Sequence, residues 1–133
     1  METTRYFVGA QKVGDRVVEG DSWELILLGQ SALRKGWQLF PSIREAVDSV
    51  IIDKPSIVEI EGGLAGICVA VMARTALRAG AREVRIDLNN IRYTPDDDGL
   101  NNEDRDILKI RRTHLELGMG KLGKDKRLKI VGL

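Results

Sequence analysis

Hydrophobic and polar positions change period three times between Ser42 and Leu88. Ile43, Ala46, Val47, Val50 and Ile51 make one apolar stripe at helical spacing. The capping box Ser42-Ile43-Arg44-Glu45 opens it, and Lys54-Pro55 closes it because proline disfavours helical geometry in the residue before it. Ser56 to Glu61 is a compact run rich in isoleucine and valine, the composition of a strand. Gly62-Gly63 breaks that run, and Leu64, Ile67, Cys68, Val71, Met72, Thr75 and Ala76 then mark a helix face, with Gly80 fitting the left-handed position after it. Glu83 to Leu88 alternates polar and apolar, which is the period of a second strand. A helix of this length between two strands suits a right-handed parallel crossover, so both strand ends point the same way.

The flanks are read from the same signals. Arg5 to Gly9 and Arg16 to Glu19 are β-branched and aromatic runs separated by a segment containing Gly14-Asp15, either a hairpin or one strand and a loop. Asp21-Ser22-Trp23-Glu24 offers an N-cap, and Trp23, Ile26, Leu27, Leu33 and Trp37 recur at helical spacing around Gly36. Residues 94–102 are dense in turn formers and read as an exposed loop. Asn102 offers the next N-cap; Glu103, Asp104 and Asp106 crowd the first turn, Arg111 and Arg112 lie later, and Gly118 is the expected end. Arg127 to Val131 is a last strand. The whole pattern predicts a compact single-domain α/β fold over residues 1–133. It is three-layered and Rossmann-like, with a central, mostly parallel sheet and strands near 5–9, 56–61, 83–88 and 127–131.

Composition narrows the class. With 133 residues, 43% hydrophobic and 31% charged, the chain matches an ordinary globular domain rather than a disordered or membrane one. The apolar stretch Leu64 to Ala73 falls short of the ~18 residues a bilayer crossing needs. Met1 to Tyr6 carries no apolar leader segment. A single cysteine, Cys68, excludes an internal disulfide and a multi-cysteine metal site, in keeping with a cytoplasmic protein that has no membrane partner. The net charge of +1 hides an asymmetry: from Arg105 onward nine basic residues face three acidic ones, which leaves −5 for the rest.

Ligands of open parallel sheets collect beyond the carboxyl ends of the strands, where loops meet helix N-termini. That rule selects Glu61, Gly62 and Gly63 after one strand and Asp87, Asn89, Asn90 and Arg92 after the next. The glycines would admit a ligand close to the backbone, and free N–H groups at the start of the following helix would favour a phosphate. Glu61 is suited to a general base or to a ribose hydroxyl, with Asn89 or Asn90 orienting the ligand. No metal site and no particular cofactor is implied, and no diagnostic nucleophile marks the chain as an enzyme.

Residues 61–81, from Glu61-Gly62-Gly63-Leu64-Ala65-Gly66 to Gly80-Ala81, resemble the glycine-rich turn and helix of several nucleotide-binding Rossmann-like families. The lysine-decarboxylase-like phosphoribohydrolases and the CRISPR-associated Rossmann domains are among them. The Pro-Gly-Gly-x-Gly-Thr motif of the former is absent, so the resemblance implies nucleotide recognition without assigning a family. Gly118 to Lys124 has the letters of a phosphate-binding loop, but Asp125 stands where Ser or Thr should hold magnesium. Asp96 and Asp98 have the first spacing of a calcium loop, with Asn101 where that loop wants glycine. His114, the only histidine, has no cysteine or second histidine to complete a metal site.

The leading expectation is therefore a small-ligand domain recognising a phosphate-bearing metabolite or nucleotide at Gly62-Gly63. The alternative is a non-enzymatic interaction module or self-associating subunit, with a homo-oligomer as partner. A third reading brings nucleic acid to the basic C-terminal end, through Lys121, Lys124 and Lys126.

Overall fold

The computed structural model describes residues 3–8, 11–13, 16–18, 37–39, 43–94, 97 and 103–133. In chain order these give β1 (Thr3–Val8), β2 (Gln11–Val13), β3 (Arg16–Val18), β4 (Trp37–Leu39), helix α1 (Ile43–Asp53) and β5 (Ile57–Gly62). A π-helical turn (Ala65–Val69) then runs into helix α2 (Ala70–Arg78), followed by β6 (Glu83–Asp87), helix α3 (Arg105–Met119) and β7 (Leu128–Val131). Among the described residues five strands form one all-parallel sheet in the order β4-β1-β5-β6-β7, and β2 and β3 pair antiparallel as a separate ribbon.

The chain moves one way from β1 to β4 and the other way from then on, so the strand order reverses between β1 and β5. Right-handed crossovers then place α1, α2 and α3 on the same face. The packing agrees: α1 lies against α2 and α2 against α3. Tyr6, Val8, Val58, Ile60, Val84 and Ile86 are buried in one core with the helices' Ala46, Val50, Met72 and Leu115. This is the Rossmann-like α/β domain that the sequence predicts. The helix expected from Asp21 to Gly36 lies outside the described residues.

Four local expectations are corrected. Residues 16–18 pair with 11–13 and not with β1, which takes parallel partners on both sides instead. Trp37 opens the edge strand β4 and does not belong to a helix face. The cap of α3 is Asp104, whose carboxylate accepts from the N–H of Asp106 at 3.0 Å and of Ile107 at 3.4 Å; Asn102 lies outside the described residues. Finally, α3 does not stop at Gly118 but continues to Met119, with Gly120 in the cap position at φ +59°.

Gly118 is a contact residue. A Cβ there would stand 2.6 Å from the Gly66 carbonyl oxygen and 2.7 Å from the Ala70 Cβ, while one on Gly66 would stand 3.0 Å from the His114 carbonyl. The π turn and α3 thus cross at backbone distance, which fixes where α3 enters the layer. At the far end of the sheet, the Arg127 guanidinium donates to the carbonyls of Leu77 and Ala81, both at 3.1 Å, tying β7 to the end of α2. Asp125 accepts from Arg127 Nε at 3.0 Å and Nη2 at 2.9 Å. That guanidinium holds the Asp125 carboxyl down at about 2.

Two outcomes follow. Gly118→Val forces backbone apart and should destabilise the domain by roughly 1–3 kcal/mol in urea unfolding. Because Asp125 titrates lower folded than unfolded, its contribution is fully present above the ordinary carboxylate value of 3.8 and is lost as pH falls through about 2. A carboxyl-carbon NMR titration of Asp125 should show that depressed midpoint, and Arg127→Met should return it to the ordinary range.

Candidate functional site

Along the strands the core-facing residues alternate with a second set of side chains on the opposite sheet face. Glu59 and Glu61 of β5, Arg85 and Asp87 of β6, and Lys129 and Val131 of β7 stand there, in the odd positions between Val58, Ile60, Val84, Ile86 and Ile130. Parallel sheets are ordinarily apolar on both faces, so a polar face on one is a departure that calls for a reason. These six residues, with Ile60, Ile86 and Asn90, line a cavity of about 320 Å³ at the carboxyl ends of β5, β6 and β7. It lies beside the β1/β5 reversal rather than on it. At the reversal the Phe7 ring lies 3.2 Å from where a Gly62 Cβ would be.

The charges on this face are ordered across the strands. Arg5, Glu59 and Arg85 stand in one register. The Glu59 carboxylate pairs with Arg5 at 3.1 Å and with Arg85 at 3.5 Å, and Arg85 also bonds Glu83. The Glu83 carboxylate is the main reason the Arg85 guanidinium titrates above its ordinary value. Lys129 is next in register beside Arg85, exposed and with no ion pair among the described residues. Glu61 is nearly closed off, at 9% exposure. One wall is therefore acidic, at Glu61 and Asp87, and the edge strand supplies an ammonium.

The sequence-selected residues divide between this cavity and a second structure. Glu61, Asp87 and Asn90 line the cavity. Asp87 also accepts from the Asn89 backbone at 2.9 Å and from Asn89 Nδ2 at 2.8 Å, which closes the 3₁₀ turn Leu88–Asn90. Asn89 is held in that turn, with its Nδ2 3.2 Å from where a Gly132 Cβ would be.

Gly62 and Gly63 are buried in the turn. Gly62 has φ +104°, and a Cβ on it would meet the Val8 carbonyl at 2.8 Å, so its conformation and its closeness to β1 both require glycine. The helix start beyond them is occupied. Ala65 N–H donates to the Arg92 carbonyl at 2.6 Å, and Arg92 N–H donates to the Gly63 carbonyl at 3.0 Å, so the chain after β6 lies across the turn as a strap.

Arg92 points its guanidinium away to the Asp97 carbonyl at 2.6 Å. Asp97, expected in a solvated loop, is buried. Its two carboxylate oxygens accept from Arg111 Nη2 and Nε, each at 2.7 Å, and one of them also accepts from the Tyr93 N–H at 3.1 Å. Arg111 is fully buried and donates through Nη1 to the Leu88 carbonyl at 3.0 Å. Strap, 3₁₀ turn and α3 are thus one bonded unit.

Period-two alternation carried the signal for the residues that sequence reasoning missed, namely Glu59, Arg85 and Lys129 facing the same way as Glu61 and Asp87. The competing motifs resolve structurally. Residues 118–124 are the last turn of α3 and a 3₁₀ turn (Gly120–Lys124) leading to β7, with no strand before the glycines. Asp96 and Asp98 lie outside the described residues. His114 lies beside the Tyr93 ring, centroids 5.7 Å apart, and Cys68 is partly buried against the core. No group of three or more His, Cys, Asp or Glu side chains among the described residues could hold a metal ion. Among the same residues no helix is long and apolar enough to cross a membrane.

Fold and rim together define a parallel α/β domain with a polar cavity at the carboxyl ends of its strands. No protein-family profile, no curated protein and no solved structure matches the chain.

The buried pair allows a direct measurement. Arg111→Met leaves Asp97 charged and buried, and should cost about 3–5 kcal/mol in urea unfolding. Adding Asp97→Leu to the same chain should recover a large part of that loss, because two apolar groups need no solvation.

Proposed function

We propose that this protein is a small-ligand-binding α/β domain, and that the cavity over β5, β6 and β7 receives a phosphate-bearing metabolite or nucleotide. The observation that carries the reading is the meeting of Glu61, Asp87, Asn90 and Lys129 around one cavity on an otherwise anomalous polar sheet face. Lys129, which no described carboxylate neutralises, is suited to the phosphate, and Glu61, Asp87 and Asn90 to the hydroxyl or amino groups of a sugar or base. A volume of about 320 Å³ is at the small end of ligand pockets, which favours a sugar phosphate or mononucleotide over a dinucleotide. The phosphate position differs from the one the sequence suggests, since the helix start behind Gly62-Gly63 already holds the Arg92 carbonyl.

That occupied helix start also favours a second reading, a non-enzymatic, self-associating subunit in which the glycines serve packing. The third reading, nucleic acid at the basic C-terminal end, rests on Lys121, Lys124 and Lys126, which are exposed, while Arg111 and Arg127 are committed to the core and to Asp125 respectively.

Thermal unfolding with ribose 5-phosphate, AMP and inorganic phosphate separates these readings. At a hundredfold excess over Kd, a bound ligand should raise Tm by roughly 5–10 °C. Lys129→Glu should abolish the shift while leaving the unliganded Tm in place. No shift with any of the three compounds would move the weight to the subunit reading. A shift that survives Lys129→Glu but disappears with Gly63→Val would place the ligand at the glycine turn instead.

A further inference from the structure

The outward side of α3 carries a pattern that the core does not explain. The helix buries Leu108, Arg111, Leu115 and Met119. Ile110 and Leu117 lie on the opposite side; they are seven residues apart, so they fall within about 20° of one line and about 10 Å apart along the axis. They are 39% and 78% exposed. Ile67, 60% exposed on the neighbouring π turn, shares a shallow cavity of about 490 Å³ with Leu117, His114 and Tyr93. Ile67 and Leu117 thus adjoin one cavity, and Ile110 continues the exposed apolar line along the same side of α3, beyond Thr113 and His114.

The charges flanking this patch are polar in the sense of direction. Glu103 and Asp106 lie at the N-terminal end of α3, and Lys121 and Lys124 in the 3₁₀ turn immediately beyond its C-terminal end, all four exposed. None of the four side chains has a partner among the described residues. The helix macrodipole accounts for acid at one end and base at the other. It does not account for isoleucine and leucine facing water between them.

We propose that this face of α3 binds a second copy of the chain across a two-fold axis, with the two α3 helices antiparallel. In that arrangement Ile110 meets Leu117 of the second copy, Thr113 and His114 lie at the axis, and Glu103 and Asp106 face Lys124 and Lys121. A parallel pairing would set like charges together at both ends. A two-fold contact requires a surface complementary to itself, and one acidic end, an apolar middle and one basic end satisfy that requirement. The end charges select the orientation, and the apolar middle supplies the attraction. One helix pair buries less than the roughly 1,200 Å² of a standard stable interface, so the dimer is of the weak, concentration-dependent kind. It does not depend on the ligand reading of the sheet face.

Sedimentation velocity on the full chain over about 5–500 μM, a range set for a weak interface, should show the mass rising toward the dimer. Leu117→Glu should weaken association at least tenfold while Tm and circular dichroism stay unchanged, because the side chain leaves no core contact behind. Lys121→Glu with Lys124→Glu should weaken it too, and adding Glu103→Lys and Asp106→Lys to that chain should restore it. Thr113→Cys in a Cys68→Ser background should give a disulfide-linked dimer under mild oxidation. A chain that stays monomeric throughout the range, or a dimer indifferent to Leu117→Glu, overturns the proposal. So does a dimer that the fourfold charge reversal fails to restore.

Discussion

A guanidinium with no solvent contact must be matched on all sides, and around Arg111 that requirement organises half of the molecule. Its three nitrogens donate to both oxygens of Asp97 and to the Leu88 carbonyl. Asp97 in turn receives the Tyr93 N–H, and its carbonyl receives Arg92. Each bond fixes a different element: α3 through Arg111, the turn after β6 through Leu88, and the strap through residues 92 and 93. Such a pair adds little net stability, because both charges had to leave water, but losing either member exposes the full desolvation cost of the other. Its contribution is therefore to position, since it admits only the arrangement in which α3 and the strap meet.

From that constraint follows the fate of the Gly-Gly turn. A strap held at Asp97 lies across the end of β5, where the Arg92 backbone exchanges hydrogen bonds with Gly63 and Ala65. A helix start attracts anions because its first N–H groups lack partners. Here one of those groups is satisfied by the protein's own carbonyl, while Gly62, paired with Val8 in the β1–β5 ladder, is pressed against β1. The polar side chains gather instead on the sheet face opposite the helices, where Asn90 lines the cavity beside the turn that Asp87 closes.

The crossover from Ile57 to Asp87 was legible because strand and helix periods, a glycine break and a proline stop all agree there. Both helix ends that were misplaced lie in α3, and each has a physical cause. Asp104 and Asn102 are equally good acceptors in sequence, and Gly118 looks like a terminator until its contact with Gly66 is known. Asp97 could not be told from its neighbours Asp96 and Asp98, because its burial depends on Arg111, fourteen residues further on. Trp37 fits a helical stripe by spacing, yet three residues can also extend a parallel sheet when a partner such as β1 is present. Glu59, Arg85 and Lys129 are marked by the alternation alone, and nothing local distinguishes a polar residue facing a cavity from one facing water, the more so as parallel strands are ordinarily apolar on both faces.

The sheet face and the outer side of α3 look away from each other, with the core between them, and the strap touches both regions. It begins at Asn90 beside the cavity and ends with the Tyr93 ring against His114. Between those points it is pinned by hydrogen bonds to Gly63 and Ala65 and by the Tyr93 bond to Asp97. Each of these hydrogen bonds ties the strap to a different element of the same frame. Both surfaces are therefore built on one bonded frame, and its centre is the charge that Arg111 keeps out of water.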